Sequence, residues 1–184
     1  MALSTIGANQ IASLPTGSVD TAQLASNAVT SAKLASGAIS SATMPTGTVI
    51  QVVQGSTTTA SSHGSTSTLS DTNLSASITP SSASNKIFVM INQHIYFQRY
   101  GGTIVILRGS TNISAVTDTY QNYMNVSGDI SFRGYATHSQ LDSPSTTSAI
   151  TYKTQAKSYS TSYPLQCQRG DRWTSFITLM EVVG

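Results

Sequence analysis

A ten-residue repeat fills residues 7–46 and constrains this chain more than any other feature. Its units begin at Gly7, Gly17, Asn27 and Gly37, the first copy being looser than the others. Each reads Gly or Asn, a small residue, Val or Ile, two polar residues, Ala, a polar residue, Leu or Met, Ala or Pro, and Ser or Thr. Ten residues make about 2.8 helical turns, so an apolar stripe would drift around a continuous helix at every repeat. A continuous strand would divide the apolar residues of each unit between two faces.

We therefore interpret each unit as a bend followed by one helical turn. Gly or Asn tolerates the positive φ of a bend, and a polar residue such as Asp20 suits a helix N-cap. One turn is too short to be stable alone in water, so the repeats need partners, and other copies of the chain are the nearest identical ones. We predict a trimeric stalk, the alternative being a flexible linker. Its predicted apolar core is Val19, Ala22, Leu24, Val29, Ala32, Leu34, Ile39, Ala42 and Met44.

Beyond residue 47 the ten-residue period stops and strand signals begin. Alternating or β-branched segments predict strands at 48–54, 74–79, 86–97, 103–108, 112–117, 130–136, 148–155 and 173–183. Residues 55–70 are interpreted as a long loop or loosely held edge and residues 118–129 as a loop; no helix is predicted. Seven or eight strands in one domain are typical of a β-sandwich or jelly roll. We therefore predict an all-β head over residues 47–184, preceded by an attachment segment and stalk over residues 1–46.

The composition narrows the function classes. Charged residues make up 9% of the chain, hydrophobic residues 39%, and the net charge is +2. Disorder requires low hydrophobicity together with high charge, so the chain is expected to fold. Its basic residues are scattered, which argues against nucleic-acid binding. The N-terminus lacks a signal-peptide pattern and no apolar run is long enough to span a bilayer, so we predict synthesis in a cytoplasm and no membrane insertion.

Catalysis is not predicted. His63, expected in a flexible loop, His94, expected in a central strand, and His138 have no metal-like spacing with one another or with Cys167. No nucleophile elbow is present, and the carboxylates do not suggest a glycosidase pair. We predict no catalytic residue, no metal and no cofactor. Cys167 is interpreted as a small buried residue and the Arg-Gly-Asp tripeptide at 169–171 as a turn.

Binding through tyrosines is more consistent with the sequence. Eight tyrosines in a weakly charged chain resemble the composition of paratopes, where Tyr gives large contact area and Asn adaptable hydrogen bonds. The strand tyrosines Tyr96, Tyr135 and Tyr152 are expected to pack in the core or between subunits. Packing is an equal alternative for the loop tyrosines. The predicted receptor-binding residues are Tyr120, Asn122, Tyr123, Asn125, Tyr159 and Tyr163.

The ten-residue units resemble the Gly-x-Val-x-x-Ala-x-Leu-Ala repeats of bacteriophage tail-fibre proteins, which many marine and cyanobacterial phages carry. Residues 45–53, 78–87 and 177–182 resemble segments of fibre head domains, so the resemblance covers most of the chain. It implies a homotrimeric, jelly-roll-like head, similar in outline to the complement-globular and tumour-necrosis-factor folds. It also implies a place in the virion as a tail fibre that adsorbs to a host cell-surface polysaccharide or outer-membrane component.

The short N-terminal part departs from long tail fibres. Only about 46 residues precede the predicted head, so contact with other tail, baseplate or capsid proteins is expected through residues 1–9 or the stalk. A head fibre or capsid decoration protein with a structural role is the alternative function. A polysaccharide depolymerase is a third hypothesis.

Overall fold

The computed structural model describes residues 29–30, 39, 43–114, 121–125, 127–128 and 130–184. The chain divides into two units, Met1–Ser40 and Ser41–Gly184. Most of the predicted stalk core lies outside the described residues, namely Val19, Ala22, Leu24, Ala32, Leu34 and Ala42. In the single chain Val29 and Ile39 are exposed and Met44 is half-buried. The trimeric stalk therefore stays a prediction.

The second unit consists of β-strands in the part that the structure describes. They are β1 (Val49–Thr57), β2 (Ser61–His63), β3 (Ser70–Ile78), β4 (Lys86–Gln98), β5 (Gly102–Arg108), β6 (Thr111–Asn112), β7 (Ser131–Asp142), β8 (Ile150–Ser158), β9 (Leu165–Cys167) and β10 (Ser175–Val182). A 3-10 turn, Arg169–Asp171, separates β9 from β10, as predicted for the Arg-Gly-Asp tripeptide.

The strands form two antiparallel sheets. In the first sheet β10 lies between β1 and β4, β7 pairs with the other edge of β4, and β9 and β2 continue from the last residues of β4. The second sheet has the order β3–β8–β5–β6. The chain crosses repeatedly from one sheet to the other, since β1, β4, β7 and β10 lie in the first sheet and β3, β5, β6 and β8 in the second. This connectivity is jelly-roll-like and confirms the predicted all-β sandwich.

Alternating side chains build the core between the sheets. On β4, Ile87, Val89 and Ile91 are fully buried, whereas the intervening Phe88 is half-buried and Met90 is exposed. This period of two places one face of each strand against the opposite sheet. β3, β8 and β10 also bury every second residue, whereas β5 is buried at every position from Gly102 to Leu107. Together these four strands contribute Leu74, Ile78, Ile104, Ile106, Tyr152, Ile177 and Leu179 to one continuous cluster.

The opposite face of the first sheet is apolar and open. Val52, Met90, Tyr135, Leu141 and Phe176 lie on it and are between 36% and 59% exposed. We call these five residues the open sheet face. A shallow groove of about 290 Å³ runs across it, lined among others by Gln54, Asn92, Thr137 and Thr178. In the single chain each of these residues therefore keeps more than a third of its surface exposed.

The sandwich has two distinct ends. The chain enters the first sheet at Gly47, whose N–H donates to the Val183 carbonyl at 2.8 Å, and the neighbouring Val182 pairs with Lys86 at the start of β4. We call this the connection end. The last residue of β4, Gln98, lies at the opposite end, which we call the loop end. Thirteen residues of extended chain separate the ends by about 40 Å.

For residues 55–70 the predicted long loop is wrong in part, whereas the alternative of a sheet edge matches β2, which lies at one edge of the first sheet. β1 continues through Thr57, and β2 pairs with β9. His63 is therefore not in a flexible loop: it is 3% exposed, with Ser61 Oγ 2.9 Å from Nε2 and Ser70 Oγ 2.7 Å from Nδ1. The predicted strand at 112–117 pairs with β5 only over Thr111–Asn112, and its last three residues lie outside the described part.

Candidate functional site

Two glycines at the loop end bring three segments of the chain together. Gly101 and Gly102 join β4 to β5, and a side chain on Gly101 would place its Cβ 1.7 Å from the Asn122 carbonyl oxygen. Gly102 N–H donates to that same oxygen at 3.1 Å, and Tyr159 N–H donates to the Gly101 carbonyl at 3.0 Å. The absence of side chains therefore lets the 121–125 segment and the loop after β8 pack directly onto the turn.

The turn itself has an unusual backbone. Arg99, Tyr100 and Gly101 have φ values of 55°, 57° and 73°, three left-handed residues in succession. The left-handed region costs a non-glycine residue roughly 1–2 kcal/mol, so surrounding contacts must hold it. One of these is the Tyr100 N–H, which donates to the Met124 carbonyl at 2.8 Å. The turn directs the Arg99 and Tyr100 side chains towards the neighbouring loops.

Four tyrosines from the three segments form a row. Tyr163 contacts Tyr100 with ring centroids 6.0 Å apart, Tyr100 contacts Tyr123 at 6.4 Å, and Tyr123 contacts Tyr159 at 6.1 Å. We call this the tyrosine row. Tyr123 is 39% exposed and the other three rings are half-buried. The planes of neighbouring rings are tilted by 39° to 57°, so the row presents both ring faces and ring edges.

Hydrogen bonds fix the two ends of the row. The Tyr159 hydroxyl lies 2.7 Å from Thr103 Oγ1 and accepts a hydrogen bond from the Gln121 N–H at 2.9 Å. The Tyr163 hydroxyl accepts one from Arg99 Nη1 at 3.1 Å. The rings are thus positioned before any ligand arrives, which lowers the entropy cost of binding.

Arg99 supplies the positive charge of this site. Its Nε donates to the Gly128 carbonyl at 2.9 Å, and its guanidinium carbon lies 5.2 Å from the Tyr163 ring centroid, within cation–π range. The residue is half-buried. The Arg99 guanidinium and the Tyr163 ring therefore form one continuous surface at this end of the row.

The structure gathers only some of the predicted binding residues. Tyr123, Tyr159 and Tyr163 meet in the row, and Asn125, two residues after Tyr123, is exposed. Asn122 supports the site instead, since its backbone carbonyl and its side-chain amide both bond to Gly102. Tyr120 lies outside the described residues.

Two residues of the site, Arg99 and Tyr100, were not predicted from the sequence. The available signal was their position between a strong strand and the Gly101–Gly102 pair, a gap whose length predicts a hairpin-like connection. That prediction is wrong, because β4 and β5 belong to different sheets and do not pair. Of the strand tyrosines, Tyr152 and Tyr96 are buried, as expected for packing.

The cysteine and histidines considered for catalysis lie outside the tyrosine row. Burial raises the pKa of the Cys167 thiol to about 12, which keeps it protonated, and confirms its interpretation as a small buried residue. Burial also lowers the pKa values of His63 and His138. Within the described residues, no three His, Cys, Asp or Glu side chains are grouped so that they could hold a metal ion. Nor does that part of the chain contain a helix long and apolar enough to cross a bilayer.

No protein-family model matches this sequence, and no curated protein is significantly similar to it. Function therefore has to be inferred from the chain's own residues and their geometry.

Proposed function

We propose that this chain is a virion fibre protein of a bacteriophage, a receptor-binding tail fibre that adsorbs to a glycan of the host cell surface. The observation that carries this proposal is the tyrosine row at the loop end of the sandwich. The chain enters the sandwich at its other end, at Gly47. Attachment through the N-terminal part and binding through the loop end would therefore use opposite ends of the sandwich.

The chemistry of the row suits a saccharide. Sugar rings offer C–H groups to aromatic faces and hydroxyls to amide and hydroxyl partners. A Tyr side chain gives a large contact area while losing little conformational entropy on binding. Its hydroxyl can also form hydrogen bonds at a surface that is partly exposed to water. Tyr123 is exposed, and Asn125, two residues further along the chain, is an exposed amide. No nucleophile or metal is needed for such a role, so we propose binding without catalysis.

The proposed assembly is a homotrimer. The ten-residue units need identical partners to order, and the open sheet face presents an apolar surface that a neighbouring copy would cover. Exposed apolar patches of this kind are typical of interaction sites. The N-terminal residues are proposed to contact other tail, baseplate or capsid proteins of the virion.

Truncating the row tests the receptor role. We expect Tyr123→Ala combined with Tyr163→Ala to reduce binding of the labelled protein to host cells by at least tenfold, because each aromatic anchor of an interface contributes on the order of 1–2 kcal/mol or more. The control is Thr151→Ala, an exposed position of β8 near the connection end. Circular dichroism and solution mass check that both variants fold and assemble as the parent does. Unchanged adsorption of the folded double variant would exclude the row as the receptor site.

Two further experiments separate the alternatives. Antibody labelling of intact particles distinguishes a tail fibre from a head fibre or decoration protein, since labelling on the capsid contradicts the tail assignment. Incubation of purified protein with host polysaccharide tests the depolymerase hypothesis, because a fall in polymer length would contradict a purely binding role.

A further inference from the structure

We infer that the glycan bound at the tyrosine row carries a negative charge, a carboxylate or a phosphate, and that Arg99 recognises it. This inference rests on the proposed receptor function and adds the chemical class of the ligand. The anionic group would lie at the Tyr163 end of the row, beside the guanidinium, and uncharged sugar rings would extend along Tyr100 and Tyr123.

The first argument is the distribution of charge. The described carboxylates all accept hydrogen bonds within the fold. The donors are Lys153 for Asp71, Arg108 for Asp142, the Ala60 N–H for Asp171, and Ser81 and Asn85 for Glu181. Arg99 pairs with none of them. Its contacts in the described part of the chain are one carbonyl, one hydroxyl and one ring, all uncharged.

The second argument is the donor capacity of the guanidinium. An arginine has five N–H donors in a planar fork. Among the described residues, Arg99 uses its Nε–H on Gly128 and one Nη1–H on Tyr163, so Nη2 and one hydrogen of Nη1 have no partner in that part of the chain. Carboxylate and phosphate oxygens fit this fork well. Because Arg99 is half-buried, its charge is screened less than that of a fully solvated arginine.

The third argument is the backbone. Arg99 and Tyr100 both occupy the left-handed region, which strongly favours glycine. A glycine at either position would relieve the strain, yet here the turn carries a cation and an aromatic ring. Strained non-glycine residues concentrate at ligand-binding sites, where the side chain has to be held in one place. The strain therefore accords with a binding role for these two side chains.

The test compares native and neutralised forms of the same polysaccharide. Host envelope polysaccharide is used untreated, after chemical reduction of its carboxylates to alcohols, and after removal of its phosphates. Titration calorimetry measures binding by the full-length protein and by Arg99→Gln, Arg99→Lys and Lys86→Gln. Lys86→Gln removes the same charge from an exposed position at the connection end and serves as the control.

For the parent protein, we expect one of the two neutralising treatments to weaken binding at least tenfold, and which treatment does so identifies a carboxylate or a phosphate. Arg99→Gln should bind the native polymer as weakly as the parent binds the neutralised one. Arg99→Lys should keep the preference for the charged polymer with lower affinity, because it retains the charge but not the fork. Lys86→Gln should behave as the parent.

The outcomes separate the two proposals. If the parent binds native and both neutralised polymers equally well, the receptor function stands and the anionic ligand is excluded. If Arg99→Gln, folded by circular dichroism, keeps the full preference for the charged polymer, the role of Arg99 is excluded. If the parent still adsorbs to host cells but binds none of the three polymers, the glycan-receptor proposal itself fails.

Discussion

His94 on β4 is a buried imidazole, and neither of its ring nitrogens has a hydrogen-bond partner among the described residues. Its ring stacks on Trp173, with centroids 4.9 Å apart and planes 7° from parallel, and meets the Tyr135 ring edge-on at 5.6 Å. Burial and the nearby charge of Arg133 lower its pKa, so the ring is neutral at pH 7. A buried polar group without a partner costs about 1–3 kcal/mol.

Replacing His94 by Phe should therefore stabilise the protein by about 1 kcal/mol at pH 7, since the aromatic stacking is kept and the unpaired polar atoms are removed. The gain should grow as the pH falls below 6.5. The unfolded histidine then takes up a proton that the folded one, with its lowered pKa, does not, so the parent loses stability on acidification by up to about 1.4 kcal/mol per pH unit. Urea unfolding at pH 7.5 and 5.5 measures both effects.

The matched control is His138→Phe. His138 is half-buried and its Nδ1 lies 3.2 Å from Gln121 Nε2, so its replacement removes a polar contact as well as a titrating group. A less stable His94→Phe variant at pH 7 would contradict the assignment of unpaired nitrogens. It would indicate a hydrogen-bond partner supplied by another chain or by residues outside the described part of this one.

At the scale of the element, apolar and β-branched runs in the sequence located the long strands but not the short ones. The apolar-rich segments 86–97 and 173–183 match β4 and β10 closely. β2 and β9 have three residues each, and β2 is the polar sequence Ser-Ser-His, which contains no apolar residue. β7 continues well past the predicted residue 136, because pairing with the whole of β4 stabilises its polar second half.

The candidate site was predictable only in composition. Tyrosine-rich loops suggested a binding surface, and three of the predicted residues do meet there. The parts that were missed depend on contacts distant in sequence. The left-handed turn that carries Arg99 forms where the Asn122 carbonyl packs on Gly101, and no local pattern records that contact. The hydrogen bond from Asn85 Nδ2 to Glu181 Oε1, at 2.6 Å, was not predicted either, because the two residues are distant in sequence.

Substituting Gly101 tests this account of the turn. Gly101→Ala combines a positive φ with a clash against the Asn122 carbonyl, whereas Gly109→Ala has a positive φ of 58° and open space around the new Cβ. We expect Gly109→Ala to cost about 1 kcal/mol. Gly101→Ala should cost clearly more and should also abolish adsorption, because the 121–125 segment must move. Thermal unfolding and cell binding measure the two effects, and equal losses in both variants would contradict the close packing.

At the scale of the whole molecule, the two surfaces of interest have opposite chemistry. The open sheet face is apolar and lies along the side of the sandwich, between its ends. The tyrosine row is aromatic and polar, and lies at the loop end. Exposure of an apolar sheet face to water is unfavourable, with a free-energy cost of about 25 cal/mol for each Å² of apolar surface left in water. Assembly through the side of the sandwich would remove that cost and leave the loop ends free to bind.

The last prediction concerns that assembly. Light scattering should give the parent a mass of three copies of 19.3 kDa. Met90→Asp places a carboxylate in the centre of the open sheet face, and burying an unpaired charge costs several kcal/mol per copy, so its mass should fall towards that of one chain. Thr151→Asp introduces the same charge at an exposed position of the second sheet and should keep the parent's mass. If Met90→Asp also keeps it, the copies meet elsewhere. A parent that is monomeric would exclude both this interface and the trimeric stalk, because each requires the copies to associate without any other virion protein.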